Sequence, residues 1–350
     1  MRTNQPDFVL NRPGALIAAL PAILGFVPEK SLVLVTVSDA ELGSVLRADL
    51  SPRMSEVLGH LAQVAAAAES AAVIAVIVDG EGAGCRGCTD EHRQLCAALA
   101  AELSRYGMTL RAAHVVDRVA SGGRWHCADG CGEGGLIDDP GASPLAAAAV
   151  LDGRRLYSCR ADLQAVIAVE PAVREQVGAL IADHAAARDT DCGADPQDRV
   201  RRDVEIIVAA TAVAGSGRHC AATELAAMGC ALTDMTVRDM LFALAVSERA
   251  SDAEALWAAL ARSVPDPWRA EALVLLAFSA YVRGDGPLAG VSLEGALRCA
   301  PGHRMAGMLD TALQSGLRPA QIRELADTGY RLAERIGARL PPRQLDRRAG

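Results

Sequence analysis

At 350 residues the chain is longer than one ordinary core, and with 51% hydrophobic against 22% charged residues it has the composition of a folded protein, which excludes a disordered one. The net charge of −8 argues against a general nucleic-acid surface, because phosphate binding needs clustered cations. Lys30 is the only lysine among the 35 basic residues, so Schiff-base chemistry or a lysine phosphate clamp has one position open to it.

The first apolar run, Ala15 to Val27, looks like a secretory h-region with Arg2 and Arg12 ahead of it. No small-residue cleavage site follows it, and Pro21 interrupts a stretch too short to cross a bilayer, so a cytoplasmic protein with no membrane segment is expected. Ten cysteines in that compartment are expected to be reduced. Gly25 to Ser31 resembles a phosphate loop but lacks a glycine before Lys30, and it leads into a strand. It is read as a turn.

Ser31 to Ser38 is a β-branched run, and Ser44 to Leu50 alternates as its antiparallel partner across a five-residue turn. Ser51-Pro52 is an N-cap and N1 pair for a helix to about Glu69. Ala72 to Asp79 is short and wholly apolar before its last residue, which predicts a central strand buried on both faces. A helix from about Asp90 stops at Tyr106-Gly107, and Thr109 to Val119 is the next strand. Alternating strands and helices predict parallel crossovers in a mixed sheet. The loops after Asp79 and after Val119 then share the carboxyl edge, where open α/β sheets bind ligands. Asp79, Asp117, Arg124 and Trp125 are the ligand-binding candidates there.

Ser143-Pro144 starts a short helix, Pro144 to Leu151, and from Pro171 onward the pattern is helical, with Asp195-Pro196 repeating the cap. The expected domains are therefore an α/β domain over 1–155, an all-helical domain over 156–340 and a polar tail over 341–350. Residues 185–195 are the linker candidate. The basic strips Arg199/Arg201/Arg202 and Arg343/Arg347/Arg348 alternate with Asp198, Asp203, Glu205 and Asp346, as solvated faces do. Over 270–301 small and large apolar residues alternate on two helices around Gly284-Asp285, from Leu273, Leu276, Ala277 and Tyr281 to Ala289, Leu293 and Ala296. This resembles one tetratricopeptide repeat, with Leu273 where tryptophan is usual. A single copy reads as a packing unit, with a peptide-binding groove as the alternative. Residues 303–316 and 319–334 add two more helices.

Several stretches together, ALIAALPAILGFVPEKSLVLV (15–35), GGRWHC (122–127), ASPLAAAAVLDG (142–153) and RGDGPLAGVSLEGAL (283–297), resemble the family named domain of unknown function 4192, found in high-GC Gram-positive bacteria. The resemblance implies a shared fold and carries no activity. Its members often have a cysteine pair followed by proline after the tryptophan; here Gly132 to Gly135 follow Cys131, so a metal role is not inherited.

Cys85-Arg-Gly-Cys88 and Cys127-x3-Cys131 could supply four sulfurs to a tetrahedral zinc, with His92 or His126 as alternates, if both pairs stand on the carboxyl edge. The competing reading is coincidence among ten cysteines. Cys85-Cys88 also follows a strand and precedes a helix, the setting of a redox dithiol, although a glycine-rich gap (80–87) separates strand from helix. His60, His114, His184, His219 and His303 are isolated in sequence and read as surface or core residues. No G-x-S-x-G or H-E-x-x-H occurs. The expected function is thus a non-enzymatic interaction or regulatory role, with a protein partner bound through the helical domain and structural zinc as the one suggested cofactor. An enzyme or small-ligand binder working at the carboxyl edge is the alternative.

Overall fold

Two units, Met1–Asp162 and Leu163–Gly350, make up the chain. The computed structural model describes residues 12–38, 41–67, 70–151, 155–190, 195–315 and 317–344.

The first unit opens with α1 (Pro13–Leu24), which has proline in its first turn and is closed by Gly25 in the left-handed conformation at φ 75°. β1 (Ser31–Ser38) and β2 (Glu41–Asp49) form the expected antiparallel pair, with β2 starting at Glu41, ahead of the expected Ser44. Then come α2 (Met54–Ala66), β3 (Ala72–Val78), α3 (Arg86–Ser104), β4 (Thr109–Val116), β5 (Arg124–Cys127), β6 (Gly134–Leu136) and α4 (Pro144–Leu151). The six strands form one mixed sheet in the order β2-β1-β3-β4-β5-β6.

Among the described strands of the sheet, β3 and β4 are the one parallel pair. β1 runs antiparallel to both β2 and β3, so β2 and β3 point the same way with β1 between them. Each of α2 and α3 thus crosses between strands of like direction. The central strands are the continuous apolar runs, as burial on both faces requires: Leu32 to Val35 and Val73, Ala75, Val76 and Ile77 are fully enclosed. Period-two alternation divides them. Leu32, Leu34, Val73, Ala75, Ile77 and Val115 meet Leu58 and Leu61 of α2 and Leu99 and Leu103 of α3. Enclosing each large aliphatic side chain in this layer stabilises the unit by about 1.5–3 kcal/mol.

The structure departs from the sequence reading in two places that matter for function. α3 begins at Arg86, ahead of the expected Asp90, with Cys85 as its N-cap. The chain after Val119 does not remain a loop at the carboxyl edge but turns back as β5, antiparallel to β4, with Trp125 opposite Val116 and Cys127 opposite His114. β5 covers only the upper part of β4. The β3–β4 register also slips between Val73 and Ile74, leaving Arg111 as a bulge on the uncovered part.

A short helix, α5 (Arg160–Ala165), spans the division, and the second unit is helical: α6 (Pro171–Thr190), α7 (Pro196–Gly215), α8 (Ala222–Ala231), α9 (Met235–Leu241), α10 (Ala250–Ser263), α11 (Arg269–Arg283), α12 (Gly286–Cys299), α13 (Arg304–Gln314), α14 (Pro319–Ile322) and α15 (Glu324–Ile336). α11 is apolar on every side and forms the centre, with Phe278 packed on Phe242 at a ring separation of 4.5 Å. Gly284, left-handed at φ 85°, ends α11, and the Asp285 carboxylate accepts the Leu288 amide at 3.1 Å to start α12. Beside α11 lies an ion network. Arg238 of α9 donates to Asp239 and to Glu271, and Glu271 also holds His303.

α6 continues through most of the expected linker, and 191–194 lie outside the described residues. The expected tail starts as ordered chain: Arg343 bridges Ser247, and the Gln344 amide donates to the Val246 carbonyl. Residues 345–350 lie outside the described residues. No helix among the described residues is long and apolar enough to cross a membrane.

Candidate metal centre

β5 and β6 are joined by a turn in which Gly130 and Gly132 take φ of 77° and 86°, values that favour glycine. A β-carbon on Gly130 would stand 2.5 Å from Arg93 Nη2, so any side chain there would push that guanidinium aside. Asp129 Oδ1 accepts the Cys131 amide at 2.9 Å, and the Cys127 amide donates to the Glu133 carbonyl at 2.9 Å. These bonds bring Cys127, Cys131 and Glu133 together. Their ligand atoms all lie within 4.8 Å of one another, the one such group of three or more His, Cys, Asp or Glu side chains among the described residues.

An imidazole on the neighbouring strand stands beside one of these three. His114, on β4 directly across from Cys127, places Nδ1 3.9 Å from Cys127 Sγ, and its ring meets Trp125 edge-on at 5.0 Å. Burial holds the His114 imidazole below its ordinary pKa, against the opposing pull of Asp129 and Glu133, which favours the neutral ring that metals bind. Burial, followed by the hydrogen bond to Cys131, pushes the Cys127 thiol up to about 12. All four groups border a cleft of ≈ 680 Å³ that Arg12, Arg93 and Arg111 also line.

The expected four-sulfur set does not assemble. Cys85 and Cys88 belong to the first turn of α3, whereas Cys127 and Cys131 line the cleft beside Arg93 and Cys96 farther along that helix. At 1.5 Å per residue, Cys96 lies about 12 Å down the helix axis from Cys88. The cause is the direction of β5, which carries Cys127 back from the carboxyl edge. His126 faces the opposite side of β5 from Cys127, and burial, then the nearby His92, holds its imidazole below the usual value. His92 is buried with Nε2 3.0 Å from Asp79 Oδ2. Neither alternate histidine reaches the Cys127 group.

The ligand candidates at the carboxyl edge are occupied by local structure. Asp79 Oδ1 accepts the Gly82 amide at 3.0 Å while its second oxygen holds His92. Asp117 Oδ1 accepts the amides of Arg118 at 2.6 Å and Arg124 at 2.7 Å, which ties β4 to β5. Trp125 packs on His114, and Arg124 is exposed.

The model of the family described as domain of unknown function (DUF4192) matches residues 13–320. The chain belongs to the DUF4192 family. The match runs from the start of α1 to α14, through both units and the whole β5–β6 turn. No curated protein and no solved structure matches the chain. Membership in DUF4192 brings no ligand with it, so the chemistry of the centre rests on its own side chains. Two of these, His114 and Glu133, were not candidates in the sequence. His114 stands thirteen positions before Cys127 and meets it only through strand register. Glu133 could have been found from the glycine-rich turn, since a hairpin there sets residues 127 and 133 opposite each other.

Proposed function

We propose that this protein is a non-enzymatic, zinc-binding member of its family, in which Cys127, Cys131, Glu133 and His114 form a structural site that fastens the β5–β6 corner. The observation that carries this reading is the convergence of three ligand atoms within 4.8 Å, with an imidazole nitrogen 3.9 Å from one of the sulfurs. In a tetrahedral site with Zn–S bonds near 2.3 Å, ligand atoms stand roughly 3.8 Å apart, so small side-chain rotations bring these groups onto one ion. Four protein ligands fill the tetrahedron, which favours structure over catalysis.

The corner has a physical need for such a tie. β6 is Gly134-Gly135-Leu136, exposed throughout, and two glycines in a strand give little packing to hold it. Metal binding would supply what the side chains do not. The same reading places the chain in a reducing, cytoplasmic setting and gives it an interaction or regulatory role through its helical unit, where the α11–α12 hairpin resembles a tetratricopeptide unit. The engagement of Asp79 and Asp117 with backbone amides speaks against the alternative of an enzyme at the carboxyl edge.

Elemental analysis of chain purified without a histidine tag tests the centre. About one zinc per chain is expected, lost in Cys127→Ser and Cys131→Ser and kept in the double variant Cys85→Ser/Cys88→Ser. Metal-free wild-type protein, or loss of zinc from the Cys85/Cys88 variant, would sink the assignment. For the interaction role, affinity capture that returns no stoichiometric partner counts against it.

A further inference from the structure

The Cys85-Cys88 pair is left over by the metal centre, and its geometry has a use of its own. Cys85 is the N-cap of α3, a nineteen-residue helix, with φ −96° and ψ 123°. Its sulfur accepts the Cys88 amide at 3.4 Å, as an N-cap side chain does. Serine, threonine, aspartate or asparagine is the usual residue here, because an oxygen takes up an orphan amide. A thiol in that place feels the same amides and the positive end of the helix, both of which favour its thiolate. The sequence had set the helix start at Asp90, beyond a glycine gap. The earlier start at Arg86 is what brings the sulfur to the cap.

The two sulfurs are chemically unequal. Hydrogen bonds from the Cys88 and Gly87 amides and from the Cys88 side chain hold Cys85 below the ordinary thiol range, whereas its own bond to Cys85, then burial and the charges of Glu91 and Asp79, push Cys88 up to about 11. Cys85 is exposed, at the end of the turn that follows Asp79, so a small reagent reaches it from solvent.

We infer that Cys85 and Cys88 form a reversible dithiol–disulfide couple in which Cys85 attacks and Cys88 resolves. The oxidant is a low-molecular-weight disulfide. The Cys85 thiolate attacks one of its sulfurs, the S–S bond breaks and one small thiolate leaves. Cys88 gives up its proton, attacks Cys85 Sγ and displaces the second small thiolate as the Cys85–Cys88 bond forms. Two electrons pass from the protein to the reagent, and the two protons shed by the protein thiols end on the two small thiols. An excess of small thiol reverses each step. Because these sulfurs are separate from the zinc ligands, the couple does not depend on the metal reading.

Trypsin makes the test sharp, because cleavage after Arg86 places the two cysteines on different peptides, Met54–Arg86 and Gly87–Arg93, each with a single cysteine. Full-length protein is equilibrated in glutathione buffers of graded potential, its free thiols are blocked, and unreduced digests are analysed by mass spectrometry. The linked pair Met54–Arg86/Gly87–Arg93 is expected to appear before adducts on the other cysteines and to vanish on return to reducing buffer. In Cys88→Ser, oxidised glutathione should be trapped on Cys85 at least about tenfold faster than on Cys88 in Cys85→Ser. Circular dichroism and the thermal melting midpoint, unchanged in both variants, show that they fold. Equal rates in the two variants, absence of the linked peptides, or cross-links from Cys85 to Cys127 or Cys131 would overturn the inference.

Discussion

Replacing Arg238 by methionine tests how the helical unit is held together. The guanidinium donates to Asp239 Oδ1 through Nε at 3.0 Å and Nη2 at 2.8 Å, and to Glu271 Oε2 through Nη1 at 3.2 Å. Its side chain is 8% exposed and that of Glu271 16%, so deleting the cation strands a buried carboxylate. Breaking one side of a buried pair costs about 3–5 kcal/mol. Two features favour the low end. Asp239 is 34% exposed and gains water, and His303 Nε2 stays 3.1 Å from Glu271 Oε1. A loss of about 3 kcal/mol follows, equivalent to a Tm drop of about 6–12 °C for a unit of this size. Scanning calorimetry of the full chain reads the shift, and urea titration gives the free energy. Adding Glu271→Leu should recover at least half of it, since the stranded charge is then gone. A loss below about 1 kcal/mol, or a double variant as weak as the sum of the singles, would refute the account.

The same carboxylate sets an acid limit. Burial pushes the Glu271 pKa up, but the hydrogen bond from His303 and the charge of Arg238 outweigh it and hold the group below its ordinary value of 4.5. A carboxylate depressed in the folded state adds stability above the unfolded pKa that is lost as pH falls through the folded one, so the helical unit should weaken below about pH 4.5 by urea titration, less so in Glu271→Gln. Gly329→Ala should destabilise by about 1–3 kcal/mol, because its β-carbon would stand 2.8 Å from the Met240 carbonyl oxygen and 2.9 Å from that of Asp239; an unchanged urea midpoint would show that α15 can withdraw freely. Gly14→Ala should act on the β5–β6 corner where the zinc site is proposed. Its β-carbon would fall 2.5 Å from the Leu136 carbonyl oxygen on β6, and zinc affinity measured against a chelator should drop together with stability.

Elements with strong local signals were read correctly. β1 and β3 are runs of β-branched residues, and α4 begins at the Ser143-Pro144 step, where Ser143 Oγ accepts the Ala146 amide at 3.1 Å. The α11–α12 turn follows from Gly284 and Asp285. What escaped was non-local. Gly134-Gly135-Leu136 has no strand propensity and becomes β6 only by pairing with β5, so neither the hairpin nor Glu133 announced itself. The start of α3 was missed because cysteine is an unusual cap. The four-thiol idea assumed that every connection after a crossover strand stays at the carboxyl edge, and β5 reverses there. His114 reads as an isolated residue in the sequence because its partner is set by register, which no spacing rule reports.

The uncovered stretch of β4 has a bearing on how the protein behaves when concentrated. Backbone groups along a sheet rim form a ready template for a strand from another molecule. Arg111 lies in that stretch, exposed and on a bulge, so an incoming strand would have to strip water from a guanidinium and match a kinked ladder at once. Arg111 thereby guards the open stretch of β4, whereas the outer edges of the sheet belong to β2 and β6.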